Sequence, residues 1–487
     1  MSKTTIVVGS GIAGLAAAIR LAKRGHTVSV FEANEYPGGK LTEIKLGNYR
    51  FDAGPSLFTL PENVEELFEL CGLQTSSYFN YKKLESSCNY FWEDGTQLKA
   101  WSEIGKLIHE FEAKLGEPSK NIEAALENSS FLYRHLAPIF MEQSIHRNKT
   151  WLGTSAFKAY TRLSKFGFNK TMNQANEKRF EKDKTVQLFN RYATYNGSDP
   201  YQTPATLNII PHLEFGIGAY FPEGGMHEIT MSLYRLALQI GVKFYFNTPV
   251  KRIVVYKGKA KGIDTEMGFH KSDYVVSNMD IVGTYKKLLR TEKQPKKLLK
   301  QPKSSSAIIF YWGIKKHFKQ LDLHNIFFSQ DYKTEFEHIF KSKSLYHDPT
   351  VYVNITSTQN PSDAPKDSMN WFTMVNAPNN SGQDWDALVA QAKENILKKL
   401  SRVIGTEIEP LIEVEDILDP RTIELRTSSD SGALYGNSSN NKYAAFLRHA
   451  NFSKRIKHLF FCGGSVHPGG GIPLSLLSAK IVDQELN

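Results

Sequence analysis

Gly9, Gly11 and Gly14, followed by Glu32 and then by Lys40 behind the pair Gly38-Gly39, are the residues near the N-terminus whose types and spacing could do chemistry. G-x-G-x-x-G with an acid about twenty residues further on is the pattern that binds a dinucleotide. Gly9 allows a tight turn, Gly11 lets a pyrophosphate approach the backbone, and Gly14 lets a helix pack closely on a strand. Glu32 is placed to accept hydrogen bonds from a ribose diol. A glycine-rich turn without a ligand is the plain alternative, so the surrounding elements decide. Thr4 to Val8 is a short buried-strand run, Leu15 to Arg24 carry a helix composition, Gly25 stops that helix, and His26 to Phe31 form a second apolar strand. That is a βαβ unit in register with the glycines, and its helix N-terminus offers free N–H groups and a positive dipole end to phosphates.

The glycine pair six residues past Glu32 is something an NAD site does not need. Gly38-Gly39-Lys40 resembles the E-x(5)-G-G-R/K extension of FAD oxidoreductases, in which backbone and cation add phosphate contacts. The expected cofactor is therefore FAD. No second G-x-G-x-x-G follows, since Gly216-x-Gly218 lacks its third glycine, so an NAD(P)H site has no support.

At 487 residues the chain exceeds one ordinary core, and two domains are the natural expectation. Hydrophobic content of 41% and charged content of 23% are those of a soluble globular protein. Cys71, Cys88 and Cys462 show neither metal spacing nor a disulfide framework and read as buried small hydrophobes in a reducing cytosol. Thr4 to Ile19 is no signal peptide, because its glycines sit at fingerprint positions and no clear cleavage site follows. Leu459 to Ala479 is long enough to span a bilayer but is broken by Gly463, Gly464, Pro468, Gly469, Gly470, Gly471 and Pro473, so no transmembrane helix is expected. The net charge of +10 is clustered at Arg162 to Lys184, Lys293 to Lys303 and Lys315 to Lys319, with Phe166, Phe168, Phe180, Leu298, Leu299, Trp312 and Phe318 among the cations. Solvated helix faces are the bland explanation; an anionic membrane surface is the sharper one. Nucleic acid is not expected as a partner, since no binding module is recognised.

From Pro61 to Phe180 the pattern reads as mostly helical. His227 to Gly241 reads as a helix, Lys243 to Phe246 and Val250 to Tyr256 as strands, and Tyr274 to Ser277 as a buried strand. Leu459 to Cys462 is a strand running into a glycine-rich loop, and Leu474 to Leu486 a helix. This order predicts an α/β fold: a discontinuous Rossmann-like FAD-binding domain (1–75, 205–285 and 420–487) with a second α+β domain (76–204 and 286–419) for substrate and membrane.

Further motifs occur in order along the whole chain: Phe51-Asp52-Ala53-Gly54-Pro55-Ser56, Phe221 to Met226, Asn247-x-x-Val250, Val275 to Asn278, and His467-Pro468-Gly469-Gly470-Gly471-Ile472-Pro473. With the opening fingerprint they resemble the bacterial-type, phytoene-desaturase-like carotenoid desaturases, members of the amine-oxidase-like flavoproteins. Gly432 to Gly436 and Gly463 to His467 look most like the hydroxycarotenoid 3,4-desaturases. The resemblance implies FAD contacts from Lys40 near the pyrophosphate, from Ser56 and Leu57 along the flavin, and from Val250 at the adenine. It implies others from Asn278, Leu434, Gly464, Gly471 and Ile472, the last three before the final helix, where N–H groups can face the ribityl chain and the flavin edge. Gly463-Gly464-Ser465 departs from relatives that place an acid after the strand's glycine, and backbone contacts are expected to substitute.

The same resemblance implies an oxidoreductase acting on CH–CH groups. Flavin N5 would take a hydride from one carbon while its neighbour loses a proton, and oxygen or a quinone would accept the electrons. The protein would work in the cytoplasm, docked peripherally on the membrane that holds its carotenoid substrate. Arg191, Tyr192, Glu214, Tyr435 and His467 fall in segments expected to face the site, but none is assigned as proton acceptor. Phytoene desaturation, another amine-oxidase-like activity, and a non-enzymatic lipid-binding module on the same fold are the competing readings.

Overall fold

The computed structural model describes residues 2–486, the side chain of Ala445 apart. One sheet is parallel, in the order Leu459–Phe461, Tyr274–Ser277, Thr4–Val8, Thr27–Phe31, Lys243–Tyr245. Its strands alternate between two covered faces. Val7, Val28, Val30 and Val276 pack on the helices Ile12–Lys23, His227–Gln239 and Ile472–Glu485. Ile6, Val8, Phe31 and Val275 pack on a small antiparallel sheet, Arg252–Tyr256, Lys259–Thr265 and Gly268–Lys271. Burial on both faces is why these strands read as continuous apolar runs.

The second sheet has seven strands, in the order Ile412–Leu418, Ser306–Ile314, Met369–Ala377, Val351–Asn354, His324–Phe327, Ser86–Phe91, Gln97–Trp101. All neighbours are antiparallel except His324–Phe327 against Ser86–Phe91. The two-residue period of a strand sorts its side chains. Ile308, Phe310, Trp312, Trp371, Val375, Val351 and Val353 bury against the helix Trp385–Ile404. Ile309, Tyr311, Phe372, Met374, Tyr352, His324 and Ile326 line a cavity on the other face. The helix Ser119–Phe140 and the short helical turns Arg191–Asn196, Ala205–Ile209 and His212–Ile217 close that cavity.

The α/β class holds, with corrections in detail. The stretch expected to be mostly helical between 61 and 180 contains the hairpin Ser86–Phe91/Gln97–Trp101. The Trp92 N–H donates to the Thr96 carbonyl at 3.0 Å, closing a short loop in which Gly95 takes φ 81°. Asp94-Gly95 is a hairpin turn signal that helical periodicity masked. Val250 lies in the loop before its strand, which begins at Arg252. The last helix begins at Ile472, because Pro473 occupies its first turn, where a missing N–H costs nothing. No helix among the described residues is long and apolar enough to cross a membrane.

Candidate functional site

Four strands of the parallel sheet end at one crevice, where ligands of such sheets bind. Backbone bonds tie those ends together: Gly9 N–H to Phe31 O at 2.8 Å, Asn278 N–H to Val8 O at 2.8 Å and Cys462 N–H to Ser277 O at 3.0 Å. From this crevice a continuous cavity of about 1260 Å³ runs beneath the second sheet. It exceeds the ~300–1,000 Å³ of ordinary small-molecule pockets, as a site for both a cofactor and a long substrate would.

Every residue selected from the sequence as a cofactor contact lines this cavity except Gly14: Gly9, Gly11, Glu32, Gly39, Lys40, Ser56, Leu57, Val250, Asn278, Leu434, Gly464, Gly471 and Ile472; of the candidates for proton transfer, Arg191, Tyr435 and His467 line it and Tyr192 and Glu214 do not. Gly14 lies behind the turn, and a Cβ there would fall 2.2 Å from the Gly9 carbonyl oxygen, so it serves packing. Two helices, Ile12–Lys23 capped by Gly11 and Ile472–Glu485 capped by Gly471, begin at the cavity without a side-chain cap. Their free N–H groups suit phosphate at one end and electron-rich ring oxygens at the other. The Glu32 carboxylate accepts from Ser10 N–H at 2.7 Å, Ser10 Oγ at 2.8 Å and Asn34 N–H at 2.9 Å, which fixes it at the tip of its strand. Asn278 Nδ2 donates to the Cys462 carbonyl at 3.2 Å, bridging two strand ends.

Lys40 is engaged within the protein. Its Nζ donates to the Leu434 carbonyl at 2.9 Å, so it also fixes the loop that carries Leu434. Burial pushes Lys40 down to about 8, and burial likewise raises the nearby Asp280. Ser465, standing after the two glycines, accepts from Ile281 N–H at 2.9 Å and so anchors the neighbouring helix.

Sequence reasoning missed Arg448. This buried arginine donates to the carbonyls of Tyr435, Gly464 and Asn437 and to Asn196 Oδ1, at 3.1–3.2 Å, and so staples the glycine-rich loop. Burial lowers it to about 10. Nothing in its local sequence marks it, since its partners come from three distant segments.

The five candidates for proton transfer separate by surroundings. Glu214 accepts from Tyr195 at 2.5 Å and from Tyr192 at 3.1 Å, and lies 3.6 Å from Arg191. Arg191 donates to Tyr90 Oη at 2.7 Å and to Tyr195 Oη at 3.1 Å, and lines the cavity. His467 donates through Nε2 to the Gln143 carbonyl at 2.8 Å, and burial pushes it down to about 3. The Tyr435 ring lies against Gly197 and Gly470, either of which would place a Cβ 2.7 Å from it.

The family model for flavin containing amine oxidoreductase matches residues 12–486. The chain belongs to this family. It is 53% identical over 479 residues to a 1-hydroxycarotenoid 3,4-desaturase of Flavobacterium sp. (strain P99-3), spanning 98% of both chains. It is 30% identical over 527 residues to a phytoene desaturase of Fusarium fujikuroi, spanning 100% of this chain and 89% of the relative. An oxidoreductase structure from Methanosarcina mazei superposes with a TM-score of 0.61 at 16% identity, covering 98% of each chain, and shares the fold. Membership in the flavin-containing amine oxidoreductases makes the chain a flavoprotein, and the two uncapped helix N-termini, the glycine turn and Glu32 fit a flavin nucleotide.

Proposed function

We propose that the chain is an FAD-dependent carotenoid desaturase of carotenoid biosynthesis that introduces the 3,4 double bond into a 1-hydroxycarotenoid. The observation that carries this reading is the 53% identity along nearly the whole length of a relative with that printed activity. In this reading residues 1–75, 205–285 and 420–487 form the cofactor half, and 76–204 and 286–419 hold the substrate. Glu32 holds the ribose, Val250 the adenine, the Gly9–Gly14 turn with Gly39 and Lys40 the pyrophosphate, and Gly464, Gly471 and Ile472 the ribityl and ring end. Ser56, Leu57, Asn278 and Leu434 flank the ring.

Bound FAD supplies the two-electron acceptor, with oxygen or a quinone as its oxidant. The chain's own part is to hold the polyene flat and dry. Ile309, Met374, Phe372, Ile326, Leu207 and Ile210 wall the cavity with apolar surface, which orients a long hydrocarbon and excludes water. Phytoene desaturation is the second reading, favoured by the Fusarium fujikuroi relative. The protein supplied with a 1-hydroxycarotenoid should yield its 3,4-didehydro product, and a phytoene-making host should gain no lycopene. Lycopene in that host would overturn the substrate assignment.

A carotenoid cannot cross water freely: at ~0.8 kcal/mol per buried CH₂-sized group, some forty carbons carry a penalty on the order of tens of kcal/mol. The mouth of the cavity therefore belongs at a lipid surface, with the protein peripherally docked from the cytoplasm. Phe166, Phe180, Trp312 and Phe318 are buried and cannot anchor it. The exposed apolar residues sit nearby instead, led by Leu152 (86% exposed) and Phe157 (69%), with Tyr160, Leu163, Tyr443, Phe446 and Leu447. Trp151 stacks on Phe446 at 5.8 Å, and Phe446, Phe140 and Phe168 line the cavity, so the patch is continuous with the cavity wall. Exposed Lys149, Lys158, Lys165 and Lys442 surround them. Native protein should sediment with anionic vesicles, and Leu152→Glu/Phe157→Glu should stay in the supernatant, having lost about 3–6 kcal/mol of apolar insertion. Salt should weaken docking without abolishing it. Native protein left in the supernatant with anionic and neutral vesicles, at low and high salt, would end the docking model.

A further inference from the structure

The strand Met369–Ala377 runs through the middle of the second sheet, between Ser306–Ile314 and Val351–Asn354. Its two-residue period sends Met369, Trp371, Val375 and Ala377 into the core beneath the helix Trp385–Ile404. Phe372, Met374 and Asn376 are left on the cavity side. The first two are what a hydrocarbon should meet. Asn376 is not. It is half-buried, it stands opposite Ala307 on the neighbouring strand, and its carboxamide makes no hydrogen bond among the described residues.

The other polar groups on this face are engaged or enclosed. Ser87 Oγ donates to the Ala100 carbonyl at 3.4 Å, and Thr350 Oγ donates to Glu335 at 2.7 Å. The Tyr352 hydroxyl lies 2.7 Å from Ser56 Oγ and 2.7 Å from His324 Nδ1. The Tyr311 hydroxyl and His324 Nε2 have no partner, but both are sealed within the wall, out of a ligand's reach. The amide of Asn376 is unpartnered without being sealed. Its strand is interior to the sheet and the opposite face is covered, so the space open to that amide is the cavity. Whichever way it is turned, a carboxamide offers two N–H donors and a carbonyl acceptor. Covering it with plain hydrocarbon would strip its water and return no hydrogen bond.

Register also sets Asn376 beside the cofactor end of the cavity. Ala377, the next residue, pairs with Ser306, whose Oγ donates to the Gly432 carbonyl at 2.7 Å. The Leu434 N–H donates to the Ser305 carbonyl at 3.2 Å, and the Ser304 N–H to the Gly436 carbonyl at 2.8 Å. The turn Gly432 to Gly436 is thus sewn to the strand neighbouring Asn376, and Lys40, behind the glycine pair, holds the same turn through the Leu434 carbonyl. We propose that Asn376 is a specificity-determining residue: its carboxamide hydrogen-bonds the hydroxyl at one end of the polyene and so sets which carbons lie at the flavin. This inference rests on the 1-hydroxycarotenoid reading. A hydroxyl is both donor and acceptor, and the amide answers either way. In a 1-hydroxylated polyene the oxygen-bearing carbon is two bonds from C3, so a group that holds this oxygen has to stand next to the cofactor, as Asn376 does. A site built to hydrogen-bond a hydroxyl also rejects the analogue that lacks it, since the amide is then left unpaired.

The test measures kcat/KM for a 1-hydroxylated carotenoid and for the same polyene without the hydroxyl, using flavin-loaded protein. Native protein should prefer the hydroxylated substrate. Asn376→Leu, close in volume but without polar atoms, should reduce that preference about ten- to a hundredfold, the range expected for losing one buried hydrogen bond. Asn376→Thr, which suits a strand and keeps a donor and an acceptor, should restore part of it. If Asn376→Leu does not accumulate as folded flavoprotein, Asn376→Ala takes its place. Tyr435 lies on the adjoining turn and also lines the cavity, with its ring against Gly197 and Gly470. Tyr435→Phe should therefore be measured beside these variants, and it should keep the preference whatever it does to the rate. A preference unchanged in the Asn376 variants, or an equal loss on both substrates, would overturn the assignment, and a preference lost in Tyr435→Phe alone would move the contact to Tyr435. Native protein that converts phytoene and ignores the hydroxylated polyene would overturn the substrate reading itself, and the role of Asn376 with it.

Discussion

Purified Gly11→Val protein will be colourless where the native protein is yellow. Gly11 caps the helix whose free N–H groups face the crevice, and it lines the cavity beside Gly9 and Gly39. A Cβ at Gly11 would stand 2.6 Å from Asn278 Oδ1, and valine adds two methyl groups to it. The side chain then occupies the path by which a pyrophosphate reaches the backbone, and the favourable end of the helix dipole is screened from it. A loss of a hundredfold or more in flavin affinity is expected, about 3 kcal/mol. Flavin absorbance per mole of protein reads the outcome, with a melting curve to show that the fold survives. The Asn278 contact allows a sharper version. Adding Asn278→Ala relieves the clash inside the protein and leaves the clash with phosphate in place. If the double variant recovers its colour, the glycine serves Asn278 packing and the pyrophosphate assignment is wrong. If it stays colourless while Asn278→Ala alone keeps its flavin, the assignment stands.

The parallel sheet and its turns were legible because their information is local. The turn, the helix, the second strand and Glu32 lie within about thirty residues, and each motif further on marks a strand end or a helix start in the same sheet. That nearly all the chosen residues line one cavity follows from the strand order, which brings residues 8, 31, 277 and 461 to one edge. The seven-stranded sheet was far less legible. The hairpin Ser86–Phe91/Gln97–Trp101 was hidden among helical patterns, and its parallel pairing with His324–Phe327 joins segments more than two hundred residues apart. No motif marks His324, Tyr352 or Arg448. Arg448 is placed by its partners in distant loops, and the two strand residues by register: only when Ile326 pairs with Tyr352 do His324, Tyr352 and Asn354 share one face. The basic clusters misled for a related reason, since composition does not say which way an aromatic ring turns, and Phe166, Phe180, Trp312 and Phe318 turn inward.

Arg191 and Glu214 should prove costly to separate and cheap to remove together. Their side chains are 8% and 2% exposed, and they face one another at 3.6 Å within Tyr90, Tyr192 and Tyr195. Burial works against the Arg191 charge, yet Tyr195, Tyr90 and Glu214 hold it well above its ordinary range. Arg191→Met leaves a buried carboxylate with two tyrosine hydroxyls and no cation, and Glu214→Leu leaves a buried guanidinium without its counter-charge. Each single change should destabilise by about 3–5 kcal/mol, because an unpaired buried charge is the expensive state. The pair replaced together by Met and Leu should lose far less, within about 1–2 kcal/mol of the native protein, since a buried ion pair and well-packed apolar groups of similar volume are often close in free energy. Denaturant unfolding of the native protein, both single variants and the double variant gives the coupling directly. Additive losses would mean that the two residues act separately and that the tyrosines, not the ion pair, organise this end of the cavity. A strong coupling would instead show a closed electrostatic unit, and a charge already committed to its partner is unavailable to take a proton from substrate. That outcome would remove Arg191 and Glu214 from the candidates for the proton acceptor and leave Tyr435, whose ring lies against Gly470 of the final loop, as the next residue to test.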